Sequence, residues 1–229
     1  MTLIAHIVID GNVRDQAGTN HGTWTGIEAY GNDSPTGVST KSGSFDGASF
    51  IVLANESNFD FDRTDPFSVA FWFKRADDGT LDNFVFKRVN PDATSVGWSI
   101  HLETNGKVIC ELSNGASQFV VAQAGPAIDD NDWHFIVFTY AGASNQNGMK
   151  VYVDGVLDNT GAALAITGSL LNALSVHLAA QDGGGVFLTG FMRNVKIWNV
   201  ELVAADVTQL NKAGFNRYGV GVSDGDDLP

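Results

Sequence analysis

Four side chains with oxygen donors crowd one short polar loop near the start of the chain: Asp10, Asn12, Asp15 and Asn20. Carboxylate and amide oxygens gathered in so short a span are what a calcium ion takes as ligands. The competing reading is local, because Asp and Asn at such positions also cap turns by accepting backbone N–H groups. A second acidic group, Asp60-Phe61-Asp62 with Asp65 close behind, places carboxylates at alternate positions. A retaining glycosidase needs two carboxyl groups about 5–5.5 Å apart. Arg63-Thr64-Asp65-Pro66 reads as a turn, however, so these aspartates are read as a loop ahead of a strand and no catalytic residue is assigned. The histidines, His6, His21, His101, His134 and His177, are widely separated and lack zinc-type spacing. There is no Gly-rich phosphate loop and no Ser-centred elbow. The single cysteine, Cys110, sits in the strand-like run Lys107 to Leu112 and reads as a buried structural thiol.

Aromatic residues offer a different chemistry, since sugars stack their apolar faces on such rings. Trp24, Tyr30, Trp72, Trp98 and Trp133 are the available platforms. Most lie inside strand patterns, where core packing is the default. Trp24, Tyr30 and Trp98, with the loop from Asn90 to Trp98, are the expected ligand contacts.

The elements that must position these residues are strands. Phe67 to Lys74 is the strongest: Phe67, Val69, Phe71 and Phe73 fall on one face, and Ser68, Ala70, Trp72 and Lys74 on the other. Pro66 stands at its start, where a missing N–H does least harm. Asp132 to Tyr140 is a second apolar run, followed by Lys150 to Asp154. Further strands are expected at 3–9, 21–27, 44–47, 50–53, 83–87, 97–103, 107–112, 117–122, 174–179 and 186–198. Asn105-Gly106 is a two-residue hairpin signal that predicts a type I′ turn, and Asp154-Gly155 is read the same way. Val203, Val207 and Leu210 recur at helical spacing, which predicts one helix over 202–212 stopped by Gly214. Repeated strands with turns every 8–12 residues or so predict an all-β sandwich or barrel.

Composition sets the outer limits. The 229 residues suit a single sandwich domain, with 26 glycines for tight turns and 15 phenylalanines for packing between sheets. The net charge of −13 argues against nucleic acid and against an anionic membrane surface. No apolar run approaches membrane-spanning length, so no membrane insertion is expected. The opening ten residues lack a basic start and are too short to show a signal peptide.

In order along the chain, Asp10 to Gly22, Phe45-Asp46-Gly47, Phe67 to Phe73, Trp133-His134, Val151-Tyr152-Val153-Asp154-Gly155 and Gly190-Phe191 through Ile197-Trp198 resemble the blocks of laminin-G-like, concanavalin A-like lectin-glucanase domains. The resemblance covers roughly 5–213. It implies a jelly-roll β-sandwich of two antiparallel sheets with a short C-terminal helix. On this reading a laminin-G-like domain spans 1–215 and an acidic C-terminal tail spans 216–229. It also implies that the opening loop meets a late strand around calcium. Asn194 is the donor there, although Arg193 occupies the position where a carboxylate often stands. Family members that hydrolyse glycans carry alternating acidic residues on one strand, which Asp60 and Asp62 match poorly.

The expected function is a non-catalytic recognition or adhesion module, glycan-binding and calcium-assisted. The alternative is a phage virion structural protein, as capsid decoration or tail-associated subunit, with the same fold. A glycan hydrolase is a distant third. The expected partners are a glycan or a virion or cell-surface protein, with homo-oligomers left open. The expected location is extracellular or on a virion surface.

Overall fold

The computed structural model describes residues 2–35, 41–76, 78–92, 94–182 and 184–216. The acidic tail expected from 216 onward therefore lies outside the described residues, save for Asn216. The strands in chain order are β1 (Leu3–Ile7), β2 (Gly22–Thr25), β3 (Tyr30–Gly31), β4 (Ser42–Asp46), β5 (Phe50–Leu53), β6 (Phe67–Ala76), β7 (Asp82–Lys87) and β8 (Val96–Leu102). They continue as β9 (Val108–Asn114), β10 (Gln118–Ala122), β11 (Asp130–Tyr140), β12 (Met149–Val153), β13 (Val156–Thr160), β14 (His177–Leu178) and β15 (Thr189–Trp198). One α-helix, α1 (Ala204–Asn216), follows among the described residues.

These strands form two antiparallel sheets. The eight-stranded sheet runs β13-β12-β11-β6-β15-β4-β3, with β1 also paired to β15. The seven-stranded sheet runs β10-β9-β8-β7-β14-β5-β2. Hairpin-connected runs at one end of each sheet join long-range pairings such as β6–β15, β15–β4 and β7–β14, as in a jelly roll. The alternation in β6 decides the layering. Phe67, Phe71 and Phe73 enter the space between the sheets, where Phe71 and Phe73 meet Phe84 at ring separations of 5.2 and 4.5 Å.

The opposite face of β6 is apolar too, and α1 explains why. Ala70 and Trp72 of β6, Phe135 and Val137 of β11, and Trp198 of β15 form a second cluster with Leu202 and Val207. Covering an aromatic side chain of this size is worth roughly 1.5–3 kcal/mol, enough to hold a short helix on a sheet. β11 is thus buried on both faces, as its unbroken apolar run implied.

The turns divide. Asp154 and Gly155 both have positive φ, 52° and 82°, and connect β12 to β13 as the expected two-residue loop. The β8–β9 hairpin is one residue longer. Gly106 N–H donates to Glu103 and Glu103 N–H to Lys107, and in the Asn105-Gly106 pair only glycine has positive φ. That is a type I turn closed by a left-handed glycine rather than type I′. α1 runs past Gly214, which therefore does not end the helix.

One charged clamp on the turn of the β12–β13 hairpin is sensitive to pH. His134 Nδ1 lies 2.9 Å from Asp154 Oδ2, and Nε2 lies 3.1 Å from Asp130 Oδ1. Burial opposes the imidazolium, but the hydrogen bonds and charges of the two aspartates outweigh it and raise the His134 pKa. A group raised on folding adds stability that is complete below its unfolded pKa, about 6.5, and that is lost as pH rises through the folded value. The imidazole is expected to titrate above the ordinary histidine value of about 6.5 in an NMR pH series. Asp154→Asn is expected to lower that midpoint, and an unchanged midpoint would refute the clamp.

Candidate functional site

The two sheets differ in what their outer faces carry. The eight-stranded sheet is closed by its own aromatic residues and α1. The outer face of the seven-stranded sheet mixes polar side chains with Ile109, Val120, Phe86 and Val52, and α1 packs against the other sheet. The residues of this face alternate with the core. In β8, Ser99 and His101 point outward while Trp98, Ile100 and Leu102 point in; in β9, Glu111 and Ser113 point outward while Val108, Cys110 and Leu112 point in. Register extends this outer row through Gln118 of β10, Asn83 and Phe86 of β7 and His177 of β14.

An ion pair organises the centre. Arg88 Nη1 donates to Glu111 Oε2 at 3.0 Å, and Ser99 Oγ approaches the same oxygen at 3.4 Å. Gln118 Nε2 donates to Glu111 Oε1 at 3.2 Å. Arg88 is fully buried, and burial pushes its pKa down while the charges of Glu111 and Asp92 hold it up. Gly97 makes room for this arrangement: its φ is +131°, and a Cβ there would stand 3.1 Å from Arg88 Cβ and 2.0 Å from the Lys87 carbonyl.

Amides tie the rim to the sheet. Asn83 Nδ2 donates to Gln181 Oε1 at 3.2 Å, and Gln181 Nε2 donates to Asn90 Oδ1 at 3.1 Å. The segments after β7 and β14 thus fold over one end of the face. His101 is 1% exposed, and desolvation lowers its pKa against the pull of Glu111 and Glu103. Its Nε2 faces Glu103 Oε1 at 3.3 Å, so the neutral ring carries its proton there. Three atoms of this face have no hydrogen-bond partner among the described residues: Arg88 Nε, His101 Nδ1 and Asn83 Oδ1. Buried polar atoms in that state need water or a ligand group, at a cost of about 1–3 kcal/mol each if left bare.

Of the expected ligand contacts, Trp24 and Tyr30 are brought together and Trp98 is not. Trp24 Nε1 donates to Tyr30 Oη at 3.1 Å, and Tyr30 in turn donates to Glu28 Oε1 at 2.6 Å. The rings meet edge to face at 5.9 Å, and the opposite neighbour of Trp24 is Phe45 at 5.0 Å. Burial, reinforced by Glu28, pushes the Tyr30 phenol up to about 12. The pair bridges β2 and β3, the edge strands of the two sheets. Trp98 is a correction: it is 1% exposed, packs on Phe67 at 5.4 Å and donates to the Phe59 carbonyl at 3.2 Å. Its position in β8 has the parity of the core, so it presents no ring to a ligand.

Several of the expected calcium donors are engaged in hydrogen bonds of the loop itself. Asp15 is buried, and its carboxylate accepts the backbone N–H groups of His6 at 2.8 Å, Ala17 at 2.9 Å and Asn20 at 3.0 Å. Asn20 Oδ1 accepts from Asn58 Nδ2 at 2.7 Å and from Asn55 Nδ2 at 3.2 Å. Asn12 Oδ1 caps Arg14 N–H at 2.9 Å. The opening loop and the late strand do meet, since Asn194 N–H donates to the Val8 carbonyl at 3.1 Å. There, however, Arg193 lies 3.9 Å from Asp10, which already supplies a cation. Among the described residues no group of three or more His, Cys, Asp or Glu side chains gathers as a metal centre. The aspartates of the hydrolase look-alike are separately engaged. Asp60 pairs with Lys87 at 2.8 Å, Asp62 accepts Leu170 N–H at 2.8 Å, and Asp65 accepts Asp62 N–H at 2.9 Å.

Arg88, Glu111, His101, Gln118 and Asn83 were not singled out from sequence. The signal for part of this set was present, because Ser99 and His101 alternate with apolar residues in β8, and Glu111 and Ser113 alternate with Cys110 and Leu112 in β9 after the apolar opening Val108-Ile109.

Fold and site together define a jelly-roll sandwich with one capped sheet face and one that carries a polar network. The chain belongs to the concanavalin A-like lectin/glucanases superfamily, whose family model matches residues 45–208. A search of curated proteins finds no match. Among solved structures it is similar to the binding domain of Paraclostridial Mosquitocidal Protein 1, at 14% identity and TM-score 0.72 over 93% of this chain and 52% of that one. It is also similar to domain 4 of a GH43 extracellular arabinanase from Geobacillus stearothermophilus, solved with arabinotriose, at 20% identity and TM-score 0.66 over 92% of this chain and 98% of that one. A third is a botulinum neurotoxin type C structure described as dependent on two ganglioside molecules for cell entry, at 17% identity and TM-score 0.66 over 93% and 51%. The chain spans about half the length of the two toxin chains and nearly all of the arabinanase domain. At these identities the likeness is one of fold.

Proposed function

We propose that this protein is a non-catalytic glycan-recognition module that binds through the outer face of its seven-stranded sheet. The observation that carries the reading is the contrast between the two outer faces. One is apolar and covered by α1; the other carries a network of hydrogen-bonding side chains that meets solvent at its rim through half-buried Gln118 and Asn90, with Arg88, His101 and Asn83 buried beneath them. A glycan hydroxyl both donates and accepts, so it can satisfy either a donor or an acceptor. The arabinotriose-bound and ganglioside-dependent neighbours support the same reading.

The test is binding by the intact chain on a glycan array, followed by calorimetry with the best ligand. Gln118 and Asn90 are half-buried at the rim, so their truncation removes hydrogen bonds without opening the core. Gln118→Ala and Asn90→Ala are each expected to weaken binding about tenfold, the worth of one or two hydrogen bonds, with melting temperatures nearly unchanged. Undiminished binding by both variants would place the ligand elsewhere, with the Trp24–Tyr30 edge next in line. Release of sugar from an oligosaccharide would overturn the non-catalytic part.

Two finer versions belong to the same reading. Attachment on a virion surface is one: a particle assembled in a reducing cytoplasm needs no disulfide, and the single cysteine, Cys110, is free and buried. Calcium assistance would have to use Asp10 and Asn194, because Asp15 and Asn20 are already spent on the loop.

A further inference from the structure

We infer that the ligand of the seven-stranded face is a neutral glycan, and that glycans bearing carboxylate or sulfate are selected against; this rests on the recognition reading above. The charges around the face are unbalanced. Glu111 lies at its centre, Glu103 contacts His101, Asp182 lies 3.6 Å from His177 Nε2, and Asp92 follows Arg88 on the rim. Against these four carboxylates stand Arg88, held in its pair with Glu111, and Lys107, whose ammonium is turned to the Ala124 carbonyl at 3.3 Å. Burial lowers the pKa of both His101 and His177, so neither ring adds a cation near neutral pH.

The unused atoms agree with this electrostatic picture. His101 Nδ1 and Asn83 Oδ1 are acceptors, and Arg88 Nε is a donor. A carboxylate or sulfate has only acceptor oxygens and would leave both acceptors bare. A hydroxyl can donate to either acceptor and accept from Arg88. The two acceptors belong to residues in direct register on β7 and β8, so they lie side by side on one face. An anion there would also meet the carboxylates of Glu103, Asp182 and Asp92 beyond the compensated Arg88–Glu111 pair, a repulsion that salt screens.

The experiment uses the full chain and paired probes that differ only in the acidic group: lactose against 3′-sialyllactose, and neutral against sulfated forms of any other glycan that binds. At low salt the neutral member is expected to bind at least about tenfold more tightly, and the gap is expected to narrow toward about threefold at roughly 0.5 M salt. Combining Glu103→Gln with Asp182→Asn is expected to raise affinity for the acidic member. Equal affinity for both members, with Gln118→Ala weakening both, would overturn neutral selection and leave glycan recognition standing. A neutral preference insensitive to Gln118→Ala would remove the preference from this face. Failure to bind any glycan of either kind would overturn the recognition reading itself.

Discussion

Glu111→Leu is expected to destabilise the fold by about 3–5 kcal/mol, because it leaves the Arg88 guanidinium buried without its carboxylate. Arg88 is fully buried, and Glu111 supplies its counter-charge at 3.0 Å. Its other partner is the Asp92 carbonyl, a weaker acceptor than a carboxylate, and its Nε has none among the described residues. The same substitution strips Gln118 and Ser99 of their acceptor. For a chain of this size the loss corresponds to roughly 10 °C in melting temperature. Adding Arg88→Met to Glu111→Leu is expected to restore most of the stability, since replacing both members of a buried pair with apolar groups is close to neutral. The double variant is also expected to lose glycan binding, which separates the role of the pair in recognition from its role in folding. A single variant within about 1 kcal/mol of the parent would show that the segment after β7 lifts away and lets water reach Arg88.

That pair also shows where reading along the chain stops. Arg88 and Glu111 are 23 positions apart, and nothing local marks them as partners. What was legible was periodicity. β6 and β11 were read correctly because alternation or an unbroken apolar run reports burial directly, and both strands lie in the middle of a sheet. β3 is only two residues long, and β13 is an edge strand with no alternating pattern, so both were missed. Val156-Leu157-Asp158-Asn159-Thr160 has no fully buried side, so it carries no alternating signal to detect. Trp98 was misplaced for the opposite reason: it was taken with its loop, although its alternation with Ser99 assigns it to the core face. The Asn105-Gly106 hairpin was found, but its length was not, since a left-handed glycine serves either turn type.

The opening loop is the other place where residue type alone left two chemistries open, and Asp15 decides between them. Asp15→Ala is expected to cost about 3–5 kcal/mol. Its carboxylate satisfies three backbone N–H groups, from His6 on β1 and from Ala17 and Asn20 in the loop. Hydrogen bonds to a charged acceptor are each worth about 1.5–3 kcal/mol, with less than full additivity when they share one carboxylate. The bond to His6 joins the loop to β1, and Asn20 carries the connection onward to Asn55 and Asn58 at the turn after β5. Truncation therefore releases a clasp between three segments. Asp15→Asn keeps the shape but exchanges one acceptor oxygen for an N–H donor, and is expected to fall between the parent and the alanine variant. A calcium ligand would behave differently. Saturating calcium at about 100 times its dissociation constant would stabilise the parent by about 2.7 kcal/mol, and chelator would remove that gain. If the carboxylate is a backbone anchor, melting temperatures in millimolar calcium and in chelator should coincide while Asp15→Ala remains far below both. A calcium-dependent rise that Asp15→Ala abolishes would return these oxygens to a metal.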